Sequence, residues 1–202
     1  MKRLAGTIML VAALLTGCGE DSGGAIDQTQ KQGQEADGSF NDADVAFAQE
    51  MIPHHQQAVE MSDLAAERAE SDEVKALAVR IKAAQAPEIE QMTGWLEAWD
   101  EPVEGAMGGM DMGDGGSMEG MEDMEGMEGM LSDDQIAELE AASGPDFDRL
   151  FLTGMRDHHA GAIMMAERVL EDGEFADAKQ LARDIIATQQ AEIEEIDGLL
   201  AA

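Results

Sequence analysis

The chain has 202 residues, 44 acidic side chains against 12 basic ones, and a formal net charge of −32. That balance excludes nucleic acid, whose phosphates need clustered lysine and arginine, and disfavours electrostatic adhesion to anionic lipid. The single cysteine excludes an intramolecular disulfide, and the absence of tyrosine with sparse β-branched residues argues against strands.

The N-terminus has the shape of an export signal. Lys2 and Arg3 precede an apolar run from Leu4 to Leu15, too short to remain as a membrane-spanning helix, so residues 1–17 are expected to be cleaved. Leu15-Thr16-Gly17-Cys18 resembles a bacterial lipobox, in which Cys18 becomes the lipid-modified first residue and anchors the protein to the cell envelope. An ordinary secretory signal with an incidental cysteine is the alternative. Loss of Lys2 and Arg3 brings the charge to −34. Residues 18–39 are polar and rich in Gly and Gln, the composition of a flexible tether.

Two helical hairpins follow, over residues 40–100 and 144–202. In the first, Val45, Phe47, Met51, Ile52, Ala58 and Met61 recur at helical spacing, as do Val74, Leu77, Ala78, Ile81, Ile89, Met92 and Leu96 beyond Ser71-Asp72-Glu73. Serine there suits an N-cap and the two acids suit a first turn. The second hairpin repeats the pattern at an offset of 104 residues without a gap. Asp44 aligns with Asp148, Met51 with Met155, Gln85 with Gln189 and Glu88 with Glu192. It breaks at Asp172-Gly173, and Pro145 suits its first turn. One hairpin cannot cover its own apolar stripe, so the pair is expected to form an all-α four-helix bundle with approximate two-fold symmetry. Between the hairpins, residues 101–131 are dominated by Gly, Met and acids. The Ser132–Gln135 capping-box spacing then opens a short helix over residues 132–143.

All four histidines fall at equivalent repeat positions, His54-His55 and His158-His159. On a helical wheel they share an arc with Phe47, Met51 and Ala58 in one copy, and with Phe151, Met155 and Ala162 in the other, so they face the bundle interior. Met51 and Met61, and equally Met155 and Met165, frame each pair at −3 and +7. If each hairpin turns at its break, His54 stands level with Glu88 and His158 with Glu192. Gln85 and Gln189 lie on the same stripes. A carboxylate at that height can orient an imidazole, as around many metal ions, or ligate directly. A hydrogen-bonded core network is the competing reading, and single methionines on these faces also serve as packing. Pro53, where the other copy has Asp157, either bends the helix or adjusts the His54-His55 geometry.

The linker carries Met107, Met110, Met112, Met118, Met121, Met124, Met127 and Met130 without bulky apolar neighbours. Such a segment cannot bury a core and is expected to be disordered when free. Its thioethers are soft, neutral ligands suited to Cu(I) and Ag(I). Oxidant scavenging, or low-complexity sequence without function, are the alternatives.

The segments Met51-Ile-Pro-His-His-Gln-Gln-Ala-Val-Glu-Met61 and Met155-Arg-Asp-His-His-Ala-Gly-Ala-Ile-Met-Met165 resemble the His-His repeat of the domain of unknown function 305 family. The resemblance covers residues 40–100 and 144–202. It implies a ferritin-like four-helix bundle in an exported bacterial protein. It also implies copper handling through His54, His55, His158, His159 and nearby methionines.

The expectation is a non-enzymatic, envelope-tethered protein that sequesters copper or hands it to a transfer partner, with a role in copper tolerance. Two other classes stay open. One is a helical interaction module without metal. The other is a carboxylate-bridged di-metal oxidase, although neither hairpin supplies the Glu-x-x-His spacing that such centres use.

Overall fold

The structure, a computed structural model, describes residues 38–103 and 128–202. The expected signal, Cys18, the tether up to residue 37 and the methionines from Met107 to Met127 lie outside the described residues. Regular structure among the described residues is entirely helical: α1 (Asp42–Arg68), α2 (Asp72–Trp99), α3 (Asp133–Ala141), α4 (Pro145–Asp172) and α5 (Ala176–Leu200). None of these helices is long and apolar enough to cross a membrane.

Local signals set the helix ends. The Ser71 hydroxyl accepts the Val74 N–H at 3.2 Å and starts α2. Ser132 and Gln135 close a reciprocal capping box at α3. Pro145 occupies the first turn of α4 behind Gly144, whose φ of 64° is a conformation that glycine adopts without steric cost. α1 and α2 continue through Pro53 and Pro87. Each proline removes one amide donor from its helix.

The two hairpins, α1–α2 and α4–α5, dock through α1 and α4, which run antiparallel, and each start clamps the other hairpin's turn. Asp44 is fully buried, and its Oδ2 accepts the N–H groups of Glu174 and Phe175 at 2.9 and 3.0 Å. Its repeat counterpart Asp148 accepts the N–H groups of Glu70 and Ser71 at 3.1 and 2.9 Å. Phe175 caps α5 without a side-chain hydrogen bond of its own, so Asp44 supplies from α1 what the α5 terminus lacks. Asn41 Nδ2 donates to the Asp172 carbonyl and Gly144 N to the Arg68 carbonyl, each at 2.8 Å.

All four long helices contribute to both halves of the core, which makes the assembly a four-helix bundle. One half packs Phe47, Met51 and Ile52 against Met92, Trp95, Met165 and Ile185. The other packs Met61, Leu77 and Ile81 against Phe147, Phe151, Met155 and Ile196, with Leu139 entering from α3. Burial of each such side chain contributes about 1.5–3 kcal/mol, and each hairpin depends on the other for that cover. The stretch of α1 and α4 between the two halves carries the histidines.

Candidate metal centre

His54, His55, His158 and His159 are completely buried. Adjacent residues on a helix point about 100° apart, so the two rings of each pair diverge, with centroids separated by 6.5 Å in α1 and 6.4 Å in α4. The first members meet between the hairpins: the His54 and His158 rings lie 3.7 Å apart, centroid to centroid, and are tilted by 41°. The second members turn toward the partner helix of their own hairpin. His55 Nε2 donates to Glu88 Oε2 at 2.8 Å, and His159 Nε2 donates to Glu192 Oε2 at 2.8 Å.

This geometry corrects the expected pairing of His54 with Glu88 and His158 with Glu192. Counting residues from the hairpin turn places the carboxylates at the right height. Height does not fix direction, and the 100° step within each pair sends the second ring to the carboxylate and the first to the facing hairpin. Gln85 and Gln189 are buried one turn before the two carboxylates. Both amide atoms of Gln85, and Oε1 of Gln189, lack a hydrogen-bond partner among the described residues.

The imidazoles present a repeated pattern of donors and lone pairs. His54 Nε2 donates to the backbone carbonyl of Glu128 at 3.0 Å. Thus His54, His55 and His159 each hold an oxygen acceptor on Nε2, while Nδ1 of each is buried without a partner among the described residues. In a neutral ring that Nδ1 is a bare lone pair. Among the described residues neither ring nitrogen of His158 makes a well-formed hydrogen bond, although the His54 backbone lies close enough to its ring to favour the charged form. Each unsatisfied buried polar atom costs about 1–3 kcal/mol, so five such nitrogens in one layer are a large uncompensated cost unless something binds them.

Burial, followed by the adjacent charge of His55, lowers the His54 pKa to about 3, although the Glu128 carbonyl pulls the other way. Burial, followed by the charges of His54 and His159, holds His158 well below the usual imidazole value. The two facing rings are therefore neutral at physiological pH and need not release protons to ligate.

The framing methionines are buried too, and the repeat mixes them across the hairpins. Met51 of α1 and Met165 of α4 enter one half of the core, while Met61 of α1 and Met155 of α4 enter the other. A thioether from each repeat thus stands on each side of the histidine layer. Met130 is half-buried just before α3. Among the described residues no three His, Cys, Asp or Glu side chains are gathered as a metal cluster. Neutral imidazoles with thioethers nearby match a soft monovalent ion better than a hard cation, which takes oxygen ligands.

Residues 44–200 match the family described as Domain of unknown function (DUF305). The chain belongs to the DUF305 family. Among solved structures, a DUF305 protein of Streptomyces coelicolor described as secreted is 35% identical, with a TM-score of 0.66, and the match covers 79% of this chain and 92% of that one. CopM in its Cu(II)-bound form is 32% identical, with a TM-score of 0.61 over 78% of this chain and 95% of that one. CopM has also been solved with Cu(I) and with silver. An uncharacterised protein of Acanthamoeba polyphaga mimivirus is 42% identical over 53 residues, a match spanning 26% of this chain and 35% of that protein.

Several contributors to this histidine layer escape sequence reasoning. The Glu128 carbonyl is a main-chain group and leaves no residue signature. Pro87 stands directly before Glu88 as Pro53 stands before His54, so in the first hairpin alone a proline precedes both elements of the site. Asp44 and Asp148 show as a repeat pair, but their role depends on how the hairpins dock.

Proposed function

We propose that this DUF305 protein is a non-enzymatic, exported metal-binding protein whose cargo is copper as Cu(I), with Ag(I) as its chemical congener. The observation that carries the reading is the buried layer in which three imidazoles hold an oxygen acceptor on Nε2 and leave Nδ1 unpartnered. A ligating histidine characteristically donates its other ring N–H to an oxygen, which fixes the tautomer and raises ligand basicity. His54 and His158 are the central ligands of this proposal, with His55 and His159 beside them. Met51, Met61, Met155 and Met165 are the thioethers within the bundle. The copper- and silver-bound forms of CopM support the same class of cargo.

On this reading the protein sequesters copper or passes it to a partner, and so contributes to copper tolerance. Its membrane attachment is through lipid on Cys18, and the linker methionines form weaker, exchangeable sites. The satisfied His55–Glu88 and His159–Glu192 pairs favour a second reading, in which the layer only ties the helices together. Thermal unfolding with and without stoichiometric Cu(I) or Ag(I), measured anaerobically, separates the two. A ligand that binds only the folded state stabilises it by about 2.7 kcal/mol at one hundred times Kd. A clear rise in Tm is expected, and an unchanged Tm with either ion favours the structural tie.

A further inference from the structure

One of the three outer acceptors in the histidine layer comes from neither hairpin. Glu88 and Glu192 are side chains of the bundle, but the acceptor on His54 is the backbone carbonyl of Glu128, in the segment Glu128–Leu131 that crosses α1 and α4 ahead of α3. That segment is fastened at several points. Leu131 exchanges two hydrogen bonds with the Gln57 side chain: its N–H donates to Oε1 at 2.8 Å and its carbonyl accepts from Nε2 at 2.9 Å. The Glu128 carboxylate accepts from Arg168 Nη1 at 2.6 Å.

The surface beneath has been cleared for it. A Cβ on Gly161 would overlap the Glu128 carbonyl, and a Cβ on Gly154 would stand 2.9 Å from the Leu131 side chain. Gly154 and Gly161 are seven residues apart on one face of α4. Their repeat counterparts in α1 are Glu50 and Gln57, so the cleared surface exists in one hairpin only. Glycine is among the poorest helix formers, and two of them at these positions have a reason in the backbone that lies on them. Gly129, with φ of 81°, makes the turn that lays the strap against Gly161.

We infer that Glu128, through its backbone carbonyl, is a positioning residue for His54, and that docking of the 128–131 strap sets how well His54 serves as a metal ligand. The inference rests on the metal-binding reading above. With the strap in place, His54 carries its proton on Nε2 and directs Nδ1 as a lone pair. With the strap displaced, His54 loses the Glu128 carbonyl, its oxygen acceptor among the described residues. Its tautomer is then unspecified and its ring free to reorient. Loss of such an outer partner typically lowers metal affinity about 10–100-fold.

The test is Gly161→Ala in the full mature chain. Alanine suits the helix, so α4 is retained, while its methyl group excludes the Glu128 carbonyl. Gln57→Ala is the second variant, releasing Leu131 without altering α4. Ring 15N NMR of the metal-free protein reads the His54 tautomer, and anaerobic competition against a chromogenic Cu(I) chelator reads affinity. The expected result is a single Nε2–H tautomer in the wild type, a mixture in Gly161→Ala, and Cu(I) affinity about 10–100-fold lower in that variant. A smaller loss in the same direction is expected for Gln57→Ala. Equal or tighter Cu(I) binding by Gly161→Ala overturns the inference, whatever the tautomer. A wild type that does not compete for Cu(I) at all overturns the functional reading itself, which the tautomer measurement in metal-free protein does not depend on.

Discussion

His55 and His159 differ from His54 and His158 by one residue in sequence, and that residue decides what each ring can do. The second of each pair is held by a carboxylate at 2.8 Å, whereas the first faces its counterpart 3.7 Å away. Replacing Glu88 with Leu strands the His55 Nε2–H. We expect about 1–3 kcal/mol lower stability and about 10–100-fold weaker Cu(I) binding, read by urea unfolding and by chelator competition. Glu88→Gln keeps an acceptor oxygen and is expected to retain most of both; equal losses in the two variants would contradict the assigned role. Protonation gives a separate handle. His54 takes up a proton near pH 6.5 when unfolded but only near pH 3 when folded, and His158 is shifted the same way. Above pH 6.5 neither state holds the proton and stability is at its full value. Below it the unfolded state binds protons that the folded state refuses, so metal-free protein loses up to about 1.4 kcal/mol per pH unit for each of the two rings. Urea midpoints that stay flat from pH 7 to pH 4.5 would contradict this. Burial of the four rings is legible in their shared helical arc. Which ring meets the carboxylate is not, because height follows from counting residues whereas direction depends on the rotation of each helix in the bundle.

Helix ends divide in the same way between local and nonlocal causes. Ser71 as the α2 cap and the Ser132–Gln135 box follow from short-range spacing, and both form in the structure. The crossed clamps of Asp44 and Asp148 link each hairpin start to the other hairpin's turn, so no local window contains both partners. The repeat marks the two aspartates as equivalent without revealing what they bind. Asp44 is fully buried and accepts three N–H groups, from Asn41, Glu174 and Phe175. Asp148 is only partly buried and accepts two from the opposite turn. Asp44→Ala is therefore expected to destabilise by about 3 kcal/mol and Asp148→Ala by about 1–2 kcal/mol, since charged acceptors stabilise more than neutral ones. Chemical denaturation with an unchanged m-value checks both, and a larger loss for Asp148→Ala would contradict the assigned clamps. The glycines of α4 teach a related lesson. Gly154 and Gly161 stand out only because their counterparts are Glu50 and Gln57. Their purpose becomes visible once the strap lies across them.

For the molecule as a whole, duplication supplies both the architecture and the site. An offset of 104 residues without a gap is enough to foresee two hairpins closing on one another and four histidines in one layer. What duplication leaves unmatched carries the asymmetry: the strap over α4, the prolines of α1 and α2, and the methionine-rich linker, most of which lies outside the described residues. The central claim is that copper binds in the histidine layer and not only in the linker. Anaerobic Cu(I) competition against a chromogenic chelator tests it most directly, comparing mature wild type, a His54→Ala/His158→Ala variant shown by circular dichroism to be helical, and a deletion of residues 105–127 that spares the strap. The account predicts that the tightest binding is lost with the two histidines and survives the deletion. Tight binding that survives the loss of both histidines and disappears with the linker would contradict it.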